Sequence, residues 1–254
     1  MLDRKITFLA SKELAAERAA QTLTQKYGTF KLDQAEIIVV LGGDGFMLRT
    51  LRDTQDLGIP VYGMNYGTIG FLMNEFSEHA LVHRLNKAEE TIINPLKMVA
   101  KCLNGNVETA LAINEVSLLR SSAQAAKLRV LIDGKERINE LVCDGALVST
   151  PAGSTAYNYS AHGPILPINA DVLALTAMAA YRPRRWRGAV LSSDSTIVFQ
   201  ILENEKRPVS AVADSLEVEN VLNVTIKSEK RIQHRLLFDP GHGLEERLIS
   251  EQFT

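Results

Sequence analysis

The run Leu41-Gly42-Gly43-Asp44-Gly45 follows the aliphatic stretch Glu36–Leu41 and precedes FMLRTLRD, whose apolar residues recur at helical spacing. Ligands of open α/β sheets bind beyond the carboxyl ends of strands. Glycines there let backbone N–H groups approach phosphate oxygens, and a helix start adds a favourable field. An aspartate in such a loop repels phosphate. Asp44 therefore suits a group that takes a proton from a hydroxyl or helps hold Mg²⁺. The bland alternative is a tight turn closed by an Asx cap. Two familiar phosphate motifs fail on residue identity. There is no GxxxxGK[ST] run, and Leu48 stands where a dinucleotide fingerprint beginning at Gly43 needs its third glycine.

A second signal is the run Asp144 to Tyr157, DGALVSTPAGSTAY, in which an aliphatic strand enters a turn rich in Pro, Gly, Ser and Thr. Hydroxyls, free N–H groups and the Tyr157 ring suit a sugar and a base; an ordinary polar loop is the competing reading. A third is Ile113-Asn114-Glu115-Val116, a polar pair inside an apolar run. A carboxylate there needs a partner, so Glu115 is either a strand-end cap or an acceptor for a hydroxyl.

The elements that must position these residues change character along the chain. Lys5–Ala10, Glu36–Leu41 and Ile59–Met64 read as buried strands separated by helical segments, the first with Ser11 as N-cap and Leu14, Ala15, Ala19 and Leu23 at helical spacing. This is the rhythm of a Rossmann-like, doubly wound parallel sheet over residues 1–92. Beyond it come short strands with turn signals: Lys97–Leu103 and Glu108–Leu118 about Asn104-Gly105-Asn106, and Leu128–Ile132 and Glu136–Ile138 about Asp133-Gly134. Further short runs lie at Gly188–Leu191, Thr196–Ile201, Pro208–Ala213 and Val218–Ile226. Residues 93–239 therefore read as an antiparallel, sandwich-like β-rich domain. The last helical segment, from about residue 240 to 254, is expected to return to the first domain.

Composition removes several classes of function. The 254 residues carry 28 Lys and Arg against 30 Asp and Glu, a net charge of −2, which argues against a nucleic-acid-covering protein. No apolar run reaches the roughly 18–20 residues of a membrane span, and the opening residues lack a secretory core. Cys102 and Cys143 form no CxxC unit or zinc pattern and read as buried thiols in a reducing cytoplasm. His162 reads as loop support, and Arg182–Arg187 as a solvated loop whose Trp186 anchors to the core or to another subunit, rather than as a patch for an anionic ligand.

Taken together and in order, LGGDGFML at 41–48, NYGTIGFL at 65–72, INEV at 113–116 and DGALVSTPAGSTAYNYSAHGPIL at 144–166 resemble the NAD kinase family. GGDG alone would also suit relatives that phosphorylate diacylglycerol, sphingosine or fructose phosphate; STPAGSTAY favours NAD kinase. The resemblance implies transfer of the terminal phosphoryl group of ATP, or of polyphosphate, to the 2′-hydroxyl of the adenosine ribose of NAD, giving NADP. It makes Asp44 the base, and Gly42, Gly43 and Gly45 the phosphate-facing loop. Asn114 and Glu115 would contact ribose hydroxyls, and Phe71 would pack beside the ligand. Thr155, Ala156, Tyr157, Asn158 and Ser160 would hold the adenine end, and Asp144 the other half of the dinucleotide. Arg49, one helical turn past the loop, either reaches a phosphate or lies in solvent.

Three positions depart from the family pattern: Val142 replaces a common basic residue, Ala152 a common threonine, and Leu216 a polar residue. The resemblance further implies Mg²⁺ or another divalent ion carried by the nucleotide rather than by a protein cage. It also implies a homodimer or homotetramer in the cytoplasm, with no nucleic acid or membrane partner. The rival readings are a lipid or sugar kinase with the same loop, and a non-catalytic NAD(P)-sensing module.

Overall fold

A computed structural model describes residues 4–65 and 70–252; Tyr66 to Ile69, within the NYGTIGFL run, lie outside the described residues. The chain divides into two units, one formed by Met1–Ile93 with Ile232–Thr254 and the other by Asn94–Arg231.

In the first unit β1 (Ile6–Ala10), α1 (Leu14–Tyr27), β2 (Ile37–Leu41), α2 (Asp44–Asp53) and β3 (Val61–Asn65) follow one another as strand and helix in turn. Then come β4 (Asn74–Glu75), α3 (Leu81–Lys87) and β5 (Glu89–Ile93). The strands β1, β2 and β3 are mutually parallel. Every residue of β2 is buried, which is why its sequence is aliphatic without alternation. Ala16, Ala19 and Leu23 of α1 pack with Ile37, Val39 and Leu41 of β2 in one core, joined by Leu81 and Leu85 of α3. The helix α1 begins later than its sequence suggests. Its N-cap is Glu13, with no side-chain cap, and Leu14 is exposed. Ser11 instead donates its N–H to Leu41 O, which ties it to the end of β2 rather than to the helix.

The second unit holds β6 (Leu96–Cys102), β7 (Val107–Ala112), β8 (Glu115–Arg120), β9 (Ala126–Ile132), β10 (Lys135–Cys143) and β11 (Gly145–Ser149). A short helix α4 (Tyr157–Ser160) precedes β12 (Val172–Met178), β13 (Gly188–Ser192), β14 (Ile197–Ile201), β15 (Val209–Ala213), β16 (Leu216–Val218) and β17 (Val221–Ser228). They form two six-stranded sheets, ordered β10-β9-β14-β17-β6-β7 and β13-β12-β11-β8-β15-β16. All pairings within them are antiparallel. Alternate residues of both sheets, such as Leu96, Met98 and Ala100 on β6 and Val116 and Leu118 on β8, share one core. Asp133 and Gly134 both have positive φ, 53° and 75°, as the turn between β9 and β10 requires. Trp186 packs against this core from the arginine-rich loop.

Three boundaries differ from the sequence reading. The apolar run Glu108–Leu118 is two strands, because the chain leaves one sheet and enters the other at Ile113–Asn114. The run Val218–Ile226 is likewise broken, at Asn220, whose φ is 52°. The return to the first unit also starts earlier than residue 240. β18 (His234–Phe238) lies in the first sheet, parallel to β3 and antiparallel to β5. It is followed by α5 (Leu244–Gln252).

Candidate active site

In the first unit the glycine loop occupies the carboxyl end of β2, and α2 starts at Asp44 itself. Gly42 is buried, and a Cβ there would press on Phe46 and on Ser11 Cβ. Gly43 and Gly45 have open space around them, and a Cβ at either would meet no atom within 4 Å. The Asp44 carboxylate is fixed from outside its own helix. Oδ2 accepts the N–H of Phe71 at 2.7 Å and Oδ1 that of Leu72 at 2.9 Å. Gly70 allows this approach, since a Cβ there would overlap the carboxylate. Asp44 is thus a cap, but of a turn 27 residues away rather than of its own loop. Each carboxylate oxygen retains a second lone-pair direction for a hydroxyl proton.

Arg49 sits elsewhere on α2. Its side chain is largely exposed and its Nε lies 3.5 Å from Asp53, one turn along the same helix. Phe71 is half-buried in the turn that holds Asp44.

In the second unit the strand break at Ile113–Asn114 is made by Asp214. Its carboxylate accepts the N–H groups of Ile113 at 2.7 Å, Asn114 at 3.0 Å and Glu115 at 3.3 Å. These are donors that a continuous strand would have used in its ladder. The Thr150–Ser154 turn is stitched onto this break. Thr150 Oγ1 donates to Ile113 O, Thr150 N–H donates to Asn114 O, and Gly153 N–H donates to Thr150 Oγ1. Gly153 lies so close to the Asn114 backbone that any Cβ would overlap it.

Glu115 is the electrostatically unusual group of this unit. Burial pushes its carboxyl up to about 7, the neighbouring Asp214 charge pushes the same way, and the Tyr157 backbone N–H opposes both. Its Oε2 is buried and has no hydrogen-bond partner among the described residues. Such an atom can accept a hydrogen bond from water or from a bound hydroxyl. Beside it Tyr157 keeps part of its ring exposed, with its hydroxyl on Met178 Sδ at 3.2 Å.

The other expected contacts separate by exposure. Thr155 and Ala156 are half-buried and Ser160 is exposed, so the ends of α4 can meet a ligand. Asn158 is fully buried. Its amide donates to Ser154 O and Pro164 O and accepts from Thr176 Oγ1, so it holds the turn in shape and has no group facing outward. Ala152 is also buried, its methyl taking a place in the turn's interior. Asp144 stands half-exposed at the start of β11, with Arg120 Nε 2.7 Å away. Asp214 appears in the sequence only as part of an ADS turn. Its φ of 51° and its position between two short strands are the sole local hints of its role.

Among the described residues no group of three or more His, Cys, Asp or Glu side chains could hold a metal ion.

A model of the ATP-NAD kinase N-terminal domain matches residues 2–94, and one of the ATP-NAD kinase C-terminal domain matches residues 113–232. The NAD kinase of Cereibacter sphaeroides is 60% identical over 254 residues, the whole of both chains. That of Hyphomonas neptunium is 51% identical over the same full span. The NAD kinase of Caulobacter vibrioides is 53% identical over 98% of this chain and 96% of its own. The fold matches that of yeast NADH kinase complexed with NADH, with a TM-score of 0.82 at 22% identity over 98% of this chain and 87% of that one. An Archaeoglobus fulgidus NAD kinase in complex with ATP gives 0.76 at 24% identity, over 97% of this chain and 98% of that one. With both domain models matched in order, and full-length relatives more than half identical, the chain belongs to the NAD kinase family.

Proposed function

We propose that this chain phosphorylates NAD to NADP with ATP as donor. The oxygen of the adenosine ribose 2′-hydroxyl attacks the γ-phosphorus, the bond to the ADP oxygen breaks, and the hydroxyl proton passes to Asp44. The observation that carries this reading is the Asp44 carboxylate itself, held at a glycine loop with a backbone N–H on each oxygen. Phosphoryl transfer asks the protein for positioning and charge complementarity rather than a covalent nucleophile, and a fixed base in a phosphate-facing loop supplies the first. Gly43 and Gly45 leave the backbone at the α2 start open to phosphate oxygens, while Gly42 is buried with its N–H on Met64 O.

In the second unit Asn114 and Glu115 take ribose hydroxyls, Tyr157 stacks on the adenine, and Thr155, Ala156 and Ser160 line that end. Asp144 serves the other half of the dinucleotide. A divalent ion, if carried on the donor's phosphates, would supply neutralisation of their charge. The protein offers no cluster that would hold one by itself among the described residues. We place the enzyme in the cytoplasm as a homodimer or homotetramer, on the strength of the family resemblance. No helix among the described residues is long and apolar enough to cross a membrane, and Cys102 and Cys143 are free and buried.

Donor and acceptor are tested in parallel wells holding ATP or polyphosphate with NAD or NADH, the 2′-phosphorylated product being measured in each. The ATP and NAD well is expected to give product; product only from a different donor or acceptor would overturn that part of the reading. The base platform is tested with Tyr157→Ala, which is expected to weaken NAD binding by about 1–3 kcal/mol, the usual worth of a stacked base. Titration calorimetry checks it, and an unchanged Kd would remove Tyr157 from the adenine site.

A further inference from the structure

Arg247 lies on α5, 177 residues from the turn it touches, and belongs to none of the motifs that mark the site. Its Nη1 faces three backbone carbonyls of that turn, Gly70 O at 2.8 Å, Phe71 O at 3.2 Å and Met73 O at 2.6 Å. Its Nε donates to His242 O at 2.9 Å, and its guanidinium carbon sits 5.3 Å from the centre of the Phe238 ring. Burial works against the guanidinium charge, while Asp44 and Asp239 favour it. A cation drawn this far from water to meet three carbonyls of one turn is a brace for the segment carrying them.

That segment is the one that aims the Asp44 carboxylate. The carbonyls of Gly70 and Phe71 belong to the same turn whose next N–H groups, on Phe71 and Leu72, bind the two Asp44 oxygens. Arg247 therefore holds one side of the turn and Asp44 the other. We propose that Arg247 is a positioning residue for phosphoryl transfer, which fixes the Gly70–Met73 turn and through it the direction of the Asp44 carboxylate. The C-terminal helix is then part of the catalytic apparatus. This rests on the reading of Asp44 as the base.

The test uses the full-length protein with Arg247→Ala, Arg247→Lys and Gly70→Ala. Misplacing a reacting group by about an ångström costs up to ~10²-fold in rate. Arg247→Ala is expected to lower kcat for NADP formation by about tenfold or more, with KM for NAD and for ATP within about twofold of the native values. Arg247→Lys, which keeps the charge and several donors, is expected to recover most of the loss. Gly70→Ala leaves Arg247 intact but puts a Cβ into the carboxylate, so it should show the same kcat loss at unchanged KM. The double variant should lose no more than the worse single, because both act through one carboxylate.

An unchanged kcat in Arg247→Ala would overturn the proposal. So would kcat and both KM values worsening together with no recovery in Arg247→Lys, the pattern of a merely structural arginine. If Arg247→Ala fails to fold, the Lys and Gly70 variants decide by the same criteria. Asp44→Asn separates the two claims. Full activity in that variant removes the base, whereas a large loss there with a native Arg247→Ala removes only the brace.

Discussion

Asp44→Asn is expected to lower the turnover of NADP formation by about 10²–10⁴-fold while NAD and ATP still bind, since that is the usual worth of a general base. The substitution is nearly isosteric and keeps an oxygen for one of the two backbone N–H groups of Phe71 and Leu72. Its amide NH₂ then faces the other N–H, so a modest loss of stability accompanies it. The informative comparison is therefore between kcat and KM, with the melting temperature as control. Steady-state kinetics of the purified variant checks it. Near-native kcat would show that another group takes the proton, and a raised KM with native kcat would make Asp44 a binding residue.

The second large effect concerns Glu115. Its carboxyl sits at about 7 in the folded protein, against the ordinary carboxylate value near 4.5, mainly through burial and then through Asp214. The groups facing it are the Asp214 carboxylate from the β15–β16 turn and the Tyr157 N–H. Between those two pH values the folded protein holds a proton that the unfolded chain has released. Stability therefore falls as pH rises through the window, and the full cost is present above about pH 7. At 1.36 kcal/mol per pK unit that cost is on the order of 3 kcal/mol.

Glu115→Gln removes the titration and keeps the shape. It is expected to raise the stability of the ligand-free protein at pH 8 by about 1–3 kcal/mol and to flatten its dependence between pH 5 and 8. The same variant should bind NAD more weakly, by about 1.5–3 kcal/mol, if ribose hydroxyls donate to the charged carboxylate. In the native protein NAD affinity should rise from pH 6 to pH 8 as Glu115 ionises. Denaturant melts and calorimetry across that range check all three. A variant that is less stable at pH 8, or that binds NAD normally, contradicts this account of Glu115. A site that binds at the expense of stability is a recurrent trade in proteins.

How much of this is legible in the sequence depends on how local each signal is. The position of the glycine loop and the strand before it could be read, because a fully buried strand and a tight turn into a helix both demand particular residue types at consecutive positions. The Asp133-Gly134 turn was legible for the same reason. The fold class followed from the change of rhythm after residue 92. Glu115 stood out because a carboxylate in an apolar run has to have a reason.

Other features depend on partners distant in the chain. Asp214 works on backbone groups 99 to 101 residues away, and nothing in the ADS triplet announces that it will break a strand. Arg247 looks like any basic residue on an exposed helix until its three carbonyls are found. Glu89–Ile93 and His234–Phe238 are short and carry charges, so their pairing is fixed by the sheet they join rather than by their own pattern. Asn158 shows the converse. The motif that contains it carries the family resemblance, but its own side chain is consumed inside the turn.

The most direct measurement of the central claim is NADP formation by the purified protein with Mg²⁺, ATP and NAD, read with an NADP-specific dehydrogenase and set beside Asp44→Asn. The account predicts NADP in proportion to native enzyme and its near disappearance in the variant. No NADP from folded protein that still binds NAD would contradict it and make this chain a binding module. No NADP and no NAD binding would turn the search for its acceptor to lipids and sugars.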